Sequence, residues 1–276
     1  MWKPKLGVCS WSLQVDSIPD LVRLTREVGA EVVQIGLGDP NHGTWKEGPR
    51  FIQALEDSGL ELSGTMIGYA GEDYTTPATI QRTGGFGDPA TRAERLEIFK
   101  AAVEQTAELG LRILCSHAGF IPEPGAPERG PFLETLREAG DYAHARGVIF
   151  AMETGQETAK LLRTTIDELA CPGLKVNFDP ANMILYDMGD PVDAVRILGS
   201  DIVHVHAKDA KVTTRKGEWG SEVPLGEGDV DLEAFVKALD AVGYRGPLVV
   251  EREVGDQSAR VRDIRKGVDV LRRIVG

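Results

Sequence analysis

The feature that most constrains this chain is a joint that recurs seven times: a helical pattern ends in glycine, and a short apolar run follows at once. Residues 21–29 (LVRLTREVG) lead into 31–35 (EVVQI), 51–59 (FIQALEDSG) into 60–66 (LELSGTM), and 102–110 (AVEQTAELG) into 111–117 (LRILCSH). Residues 139–147 (AGDYAHARG) lead into 148–153 (VIFAME), 161–173 into 174–179 (LKVNFD), 191–199 into 201–206, and 232–243 into 248–251 (LVVE). Glycine takes the left-handed conformation at a helix C′ position without a Cβ clash, so each joint stops a helix and turns the chain into a strand. An opening strand at 5–10 (KLGVCS) makes eight strands. A closing helix near 258–274 is marked by Val261, Ile264, Val268, Leu271 and Val275 at three- and four-residue steps.

Eight βα units in 276 residues predict a single-domain (β/α)8 TIM barrel over 1–276, with roughly 35 residues per unit. A doubly wound open sheet is the competing fold. It is disfavoured because no G-x-G-x-x-G follows the first strand, and GGFG at 84–87 follows no strand at all. Hydrophobic residues make up 42 % and charged residues 27 %, enough apolar surface for one large core. The net charge of −12 repels phosphate backbones, so no nucleic-acid partner is expected. No apolar run is long enough to span a bilayer, and no membrane partner is expected. Cys9, Cys115 and Cys171 are odd in number and far apart, which fits free thiols in a reducing, cytoplasmic setting.

Barrel active sites form where strands end, so the residues at the predicted strand ends carry the functional reading. Residues 201–209 (DIVHVHAKD) place His204, His206 and Lys208 at one parity, hence on one face. The strands before and after finish in Glu153, Asp179 and Glu251. Three carboxylates at one barrel mouth repel one another, and a divalent cation resolves the conflict. The expected ligands are Glu153, Asp179, His206 and Glu251. Oxygen-rich ligation with one imidazole suits Mn²⁺, Mg²⁺ or Co²⁺, with Zn²⁺ as a further option. His204 lies deeper and is expected to support the site by hydrogen bonding. His117 either touches substrate or caps its strand, and His144 falls on a helix surface. His42 sits in a loop on the functional face. Two connections, 67–89 and 207–230, are long for this fold and read either as substrate walls or as subunit contacts in a homo-oligomer.

The motifs FAME at 150–153, NFDPAN at 177–182, HVHAKD at 204–209, LGEG at 225–228 and VVE at 249–251 resemble those of the xylose isomerase-like TIM-barrel superfamily. The chain is similar over nearly its whole length to the sugar-phosphate isomerase/epimerase branch, which includes ketose 3-epimerases and inosose isomerases and dehydratases. The resemblance implies one divalent metal held by Glu153, Asp179, His206 and Glu251, with Glu153 and Glu251 also acting as the acid/base pair. One position departs from the pattern: epimerases of the psicose and tagatose type carry a substrate-binding histidine where this chain has Asn182. Asparagine can hydrogen-bond a sugar hydroxyl but cannot shuttle a proton.

These readings converge on a metal-dependent isomerase or epimerase of a keto-sugar or related polyol ketone, working by proton transfer through an enediolate. Lys208 is expected to contact a substrate oxygen or to pair with Asp209 or another acid at the rim. Trp11 is expected to stack on the sugar or to pack the barrel. Lys211, Arg215 and Lys216 are the basic residues available to a phosphate. The first alternative is an inosose dehydratase-like lyase. A DNA-repair enzyme of the AP-endonuclease kind, with three zinc ions, is poorly served by five histidines and by Asp229 and Asp231 in place of Asp-x-His. A catalytically silent metal-binding protein is the remaining alternative.

Overall fold

In the computed structural model, which describes residues 2–38, 45–215 and 217–276, eight parallel strands close into a barrel. They are β1 (Leu6–Cys9), β2 (Val32–Gly38), β3 (Glu61–Ile67), β4 (Ile113–Ser116), β5 (Ile149–Glu153), β6 (Leu174–Phe178), β7 (Ile202–Ala207) and β10 (Leu248–Val250). The cyclic order β1-β10-β7-β6-β5-β4-β3-β2 pairs every strand with its neighbours in sequence, apart from a short hairpin, β8 (Asp209–Lys211) and β9 (Ser221–Val223), inserted after β7. No helix among the described residues is long and apolar enough to cross a membrane. His42 and Lys216 lie outside the described residues.

The glycine joints have the expected positive φ at six of the seven places, with Gly29, Gly59, Gly110, Gly147 and Gly243 between 68° and 82°, and Gly199 at 53° but with ψ −126°, outside the left-handed well. Gly173 does not. The helix before β6 stops at Leu169, and Ala170 takes the left-handed cap at φ 48°. Gly173 is instead needed for close approach, since a Cβ there would lie 2.1 Å from the Gly140 carbonyl oxygen. The sequence signal was correct for the position of the strand and wrong for the place where the helix ends.

Helix starts are fixed by side-chain caps: Ser17, Thr158, Asp190, Asp231 and Asp256 each accept from a backbone N–H in the first turn. Both long connections contain structure of their own. The first holds a short helix, Pro77–Thr83, and the second holds the β8–β9 hairpin. Phe86, Phe99 and Phe150 pack as an aromatic group, with ring centroids 4.5–6.3 Å apart.

Strand register decides which side chains meet above this core. Glu153 pairs with Asn177, Asn177 with His204, and Val249 with His206. A register shift between Val176 and Asn177 skips one residue of β7. Continuing these ladders brings Asp179 beside His206, and Glu251 beside Lys208. Side chains from these four strands thus rise in three tiers: Glu153, Asn177 and His204 lowest, then Asp179 and His206, then Lys208 and Glu251.

Candidate active site

Glu153, Asp179, His206 and Glu251 are all buried, and each offers a ligand atom lying within 4.8 Å of the other three. His206 Nδ1 lies 3.1 Å from Glu153 Oε1, 3.5 Å from Glu251 Oε2 and 3.9 Å from Asp179 Oδ2. At that spacing two carboxylates repel by roughly 3–4 kcal/mol per pair, taking an effective dielectric near 20. Three such pairs rival the ~5–15 kcal/mol net stability of an ordinary domain. Lys208 offsets part of this, its Nζ lying 2.9 Å from Glu251 Oε2 and 3.8 Å from Asp179 Oδ2.

The donor set fits a divalent cation. Glu153 Oε2 and Asp179 Oδ2 are buried with no hydrogen-bond partner, a costly arrangement unless something coordinates them. The other oxygen of each is already committed. Asp179 Oδ1 caps the short helix Pro180–Leu185 by accepting from Asn182 N at 3.0 Å, and Glu153 Oε1 accepts from Asn182 Nδ2 at 3.1 Å. Each carboxylate is therefore held by one oxygen and presents the other.

The electrostatics point the same way. Burial pushes the Asp179 carboxyl well above its usual range, and Glu251 and Glu153 beside it add to the shift. Burial would raise Glu251 too, but Lys208 and His206 overcome it and hold that carboxylate well below its usual range. Burial opposes charge on His206, yet the negative charge of Glu251 and Glu153 outweighs it and drives the imidazole upward. The cage therefore favours positive charge at its centre.

Gln34, near the end of β2, was not singled out by the strand-end reasoning. It is fully buried, donates from Nε2 to the Thr65 carbonyl at 3.3 Å, and so turns Oε1 toward His206 Nε2 at 2.6 Å. His206 Nε2 therefore carries a proton, and Nδ1 is the atom that faces the carboxylates. The available signal was a polar residue within the otherwise apolar run VVQIG. His204 does support the site: its Nδ1 donates to Asn177 Oδ1 at 2.9 Å, and its Nε2 accepts from Ser63 Oγ at 3.1 Å. Burial drives it well below the usual histidine range, so it is neutral.

The cage opens into a cavity of about 770 Å³, lined among others by Trp11, His117, Asn182 and Lys208. Trp11 Nε1 donates to Glu251 Oε1 at 2.8 Å, which fixes the ring and the carboxylate together. His117 Nε2 lies 3.7 Å from Glu153 Oε2, so its side chain faces the cage rather than capping β4. Lys208 pairs with Glu251 and Glu253, not with Asp209. Asp209 instead accepts backbone N–H groups of Ala210, Gly226, Gly228 and Val230, tying down the loop after the hairpin. Arg215 is exposed, reaches Glu218 at 3.6 Å, and does not line the cavity; Lys211 is likewise exposed. His144 is exposed on its helix. Asp229 accepts the backbone N–H of Val212 and ties two loop segments together, while Asp231 accepts that of Ala234 and caps the following helix.

The xylose isomerase-like TIM barrel family matches residues 22–274. The chain belongs to that family. An L-ribulose-5-phosphate 3-epimerase of Shigella boydii serotype 18 is 30 % identical over 245 residues, covering 83 % of this chain and 80 % of the relative. The same enzyme of Shigella flexneri is 25 % identical over 245 residues, with the same coverage. Among solved structures, a xylose isomerase domain protein from Planctomyces limnophilus superposes with a TM-score of 0.88 at 29 % identity, covering 99 % of this chain and 98 % of that one. Both of these relatives are sugar epimerases.

Proposed function

We propose that this protein is a divalent-metal-dependent epimerase or isomerase of a keto-sugar. The observation that carries the reading is the cage itself: three buried carboxylates and one imidazole converge beside the cavity, and two of the carboxylate oxygens have no hydrogen-bond partner. The epimerase activity of its relatives supports the same reading.

Glu153, Asp179, His206 and Glu251 would hold the cation, and the oxygen-rich set favours Mn²⁺, Mg²⁺ or Co²⁺. When bound, such an ion supplies Lewis acidity toward neighbouring hydroxyl and carbonyl oxygens, which acidifies the C–H bond between them. The chain's own residues supply the proton transfers. β5 and β10 are separated by β6 and β7 around the barrel, so Glu153 and Glu251 approach the cavity from two directions. One carboxylate removes the proton next to the carbonyl, and the other returns a proton from its own side. Return to the same carbon inverts it, and return to the neighbouring carbon isomerises the sugar.

Trp11 and Lys208 keep Glu251 oriented and ionised, ready to accept a proton. The Lys208 ammonium, on the cavity wall beside Glu251, would also stabilise charge growing on a substrate oxygen. His117 and Asn182, both on the cavity wall beside Glu153, are placed to hydrogen-bond substrate hydroxyls.

The test is solvent-deuterium incorporation into a panel of ketoses, read by NMR with metal-replete protein. Label should appear at the carbon next to the carbonyl, with an epimer or isomer as product; a dehydrated product would assign the protein to the lyases. Glu153→Gln and Glu251→Gln should each lower the rate by about 10²–10⁴-fold. A variant that keeps full activity would remove that glutamate from the acid/base pair.

A further inference from the structure

We infer that the substrate is uncharged: the outer end of the cavity is a neutral-sugar subsite, and a terminal phosphate ester is disfavoured there. This deepens the ketose reading above and rests on it.

The cavity has two unlike ends. The inner end is the cage. The outer end is built from Tyr74 in the connection after β3, Tyr186 just beyond the Asp179-capped helix, and Trp219 in the hairpin connection. Trp219 Nε1 donates to the Tyr74 carbonyl at 3.1 Å, and its ring meets Tyr186 edge-on with centroids 4.7 Å apart. Tyr74 in turn lies 6.4 Å, ring to ring, from His117, which faces Glu153. An aromatic wall therefore runs outward from the metal cage, and two long loops hold it in place.

The charged groups lining the cavity are mostly acidic. Glu72, Glu222 and Glu253 line the cavity, and the Glu253 side chain is 47 % exposed. Its cations are already engaged. Lys208 is held by Glu251 and Glu253, and the Arg260 guanidinium donates to the carbonyls of Gly255, Trp11 and Glu253. Behind them, Arg252 pairs with Glu222 and Asp263. Phosphate is recognised by free guanidinium, ammonium or backbone N–H groups. Every cation lining the cavity among the described residues is committed to a carboxylate or a carbonyl. Aromatic faces and carboxylate oxygens instead suit a neutral sugar, whose C–H faces stack and whose hydroxyls donate.

The experiment compares matched pairs under the deuterium-exchange assay with Mn²⁺-loaded protein: L-ribulose against L-ribulose 5-phosphate, and D-fructose against D-fructose 6-phosphate. The expected result is a kcat/KM at least tenfold higher for the free ketose in whichever pair reacts. Equal or preferred turnover of the phosphate ester overturns the inference and leaves the ketose reading standing. Exchange with no member of either pair, nor with any ketose of the wider panel, counts against the ketose reading itself and takes the inference with it. Trp219→Ala should raise KM for the free ketose severalfold while Mn²⁺ affinity, measured by titration calorimetry, stays unchanged. An unchanged KM in that variant, with metal binding intact, removes the aromatic wall from the subsite.

Discussion

His206 shows how far one side chain depends on neighbours remote in sequence. Its Nδ1 faces three carboxylates only because Gln34 accepts from Nε2, and Gln34 presents its oxygen only because Thr65 takes its amide N–H. Outer partners of metal-ligating histidines typically carry 10–100-fold in affinity. Gln34→Leu should weaken Mn²⁺ binding by about that factor without unfolding the chain. Gln34→Glu, which keeps an acceptor for His206 but loses the N–H given to Thr65, should recover only part of the loss. Calorimetric titration reads both, and wild-type affinity in Gln34→Leu would break the link from Thr65 to the cage. The four cage residues were legible in the sequence because strand ends of a barrel face one mouth, and period-two alternation fixes their side. Gln34 was not, since its role depends on the alignment of β2 with β7 across the barrel interior. Glu253 was missed for a simpler reason: it shares the parity of Glu251, but only the folded geometry brings Lys208 between them.

At the scale of elements, the helix–glycine–strand joint predicted seven of the eight barrel strands because the requirement it reports is local. A helix must end, and glycine ends it cheaply. Gly173 marks the limit of that logic, since close packing against Gly140 selects glycine just as strongly. The position of the long loops on the functional face was legible, whereas the contact of Trp219 with Tyr74 joins the two and has no local signature. The turn between β5 and the helix Ala159–Leu169 carries an element-level liability. Glu157 is buried there, and burial pushes its carboxyl up to about 8. An acid raised in the folded state binds its proton more tightly folded than unfolded, so its contribution to stability falls as pH climbs from about 4.5 to about 8. The full shift corresponds to a ceiling of roughly 5 kcal/mol. Glu157→Gln should therefore raise the melting temperature at pH 8.5 and change it little at pH 4. Equal melting curves at both pH values would show that the carboxylate finds a partner when it ionises.

For the molecule as a whole, the cage concentrates repulsion at the one place where four strands converge, and a bound cation should stabilise the entire barrel. A ligand at a hundredfold excess over its Kd adds about 2.7 kcal/mol. For a chain of this size that is a rise in Tm of roughly 5–10 °C. Chelation should reverse the gain, and Asp179→Asn should abolish it. The sharpest single measurement joins this binding to the chemistry. Deuterium exchange next to the carbonyl of a free ketose is followed in one sample as purified, after chelation, and after addition of Mn²⁺. Exchange that disappears on chelation and returns with Mn²⁺ is the predicted result; exchange that continues unchanged through chelation, or that never appears in metal-loaded protein across the ketose panel, would contradict the account.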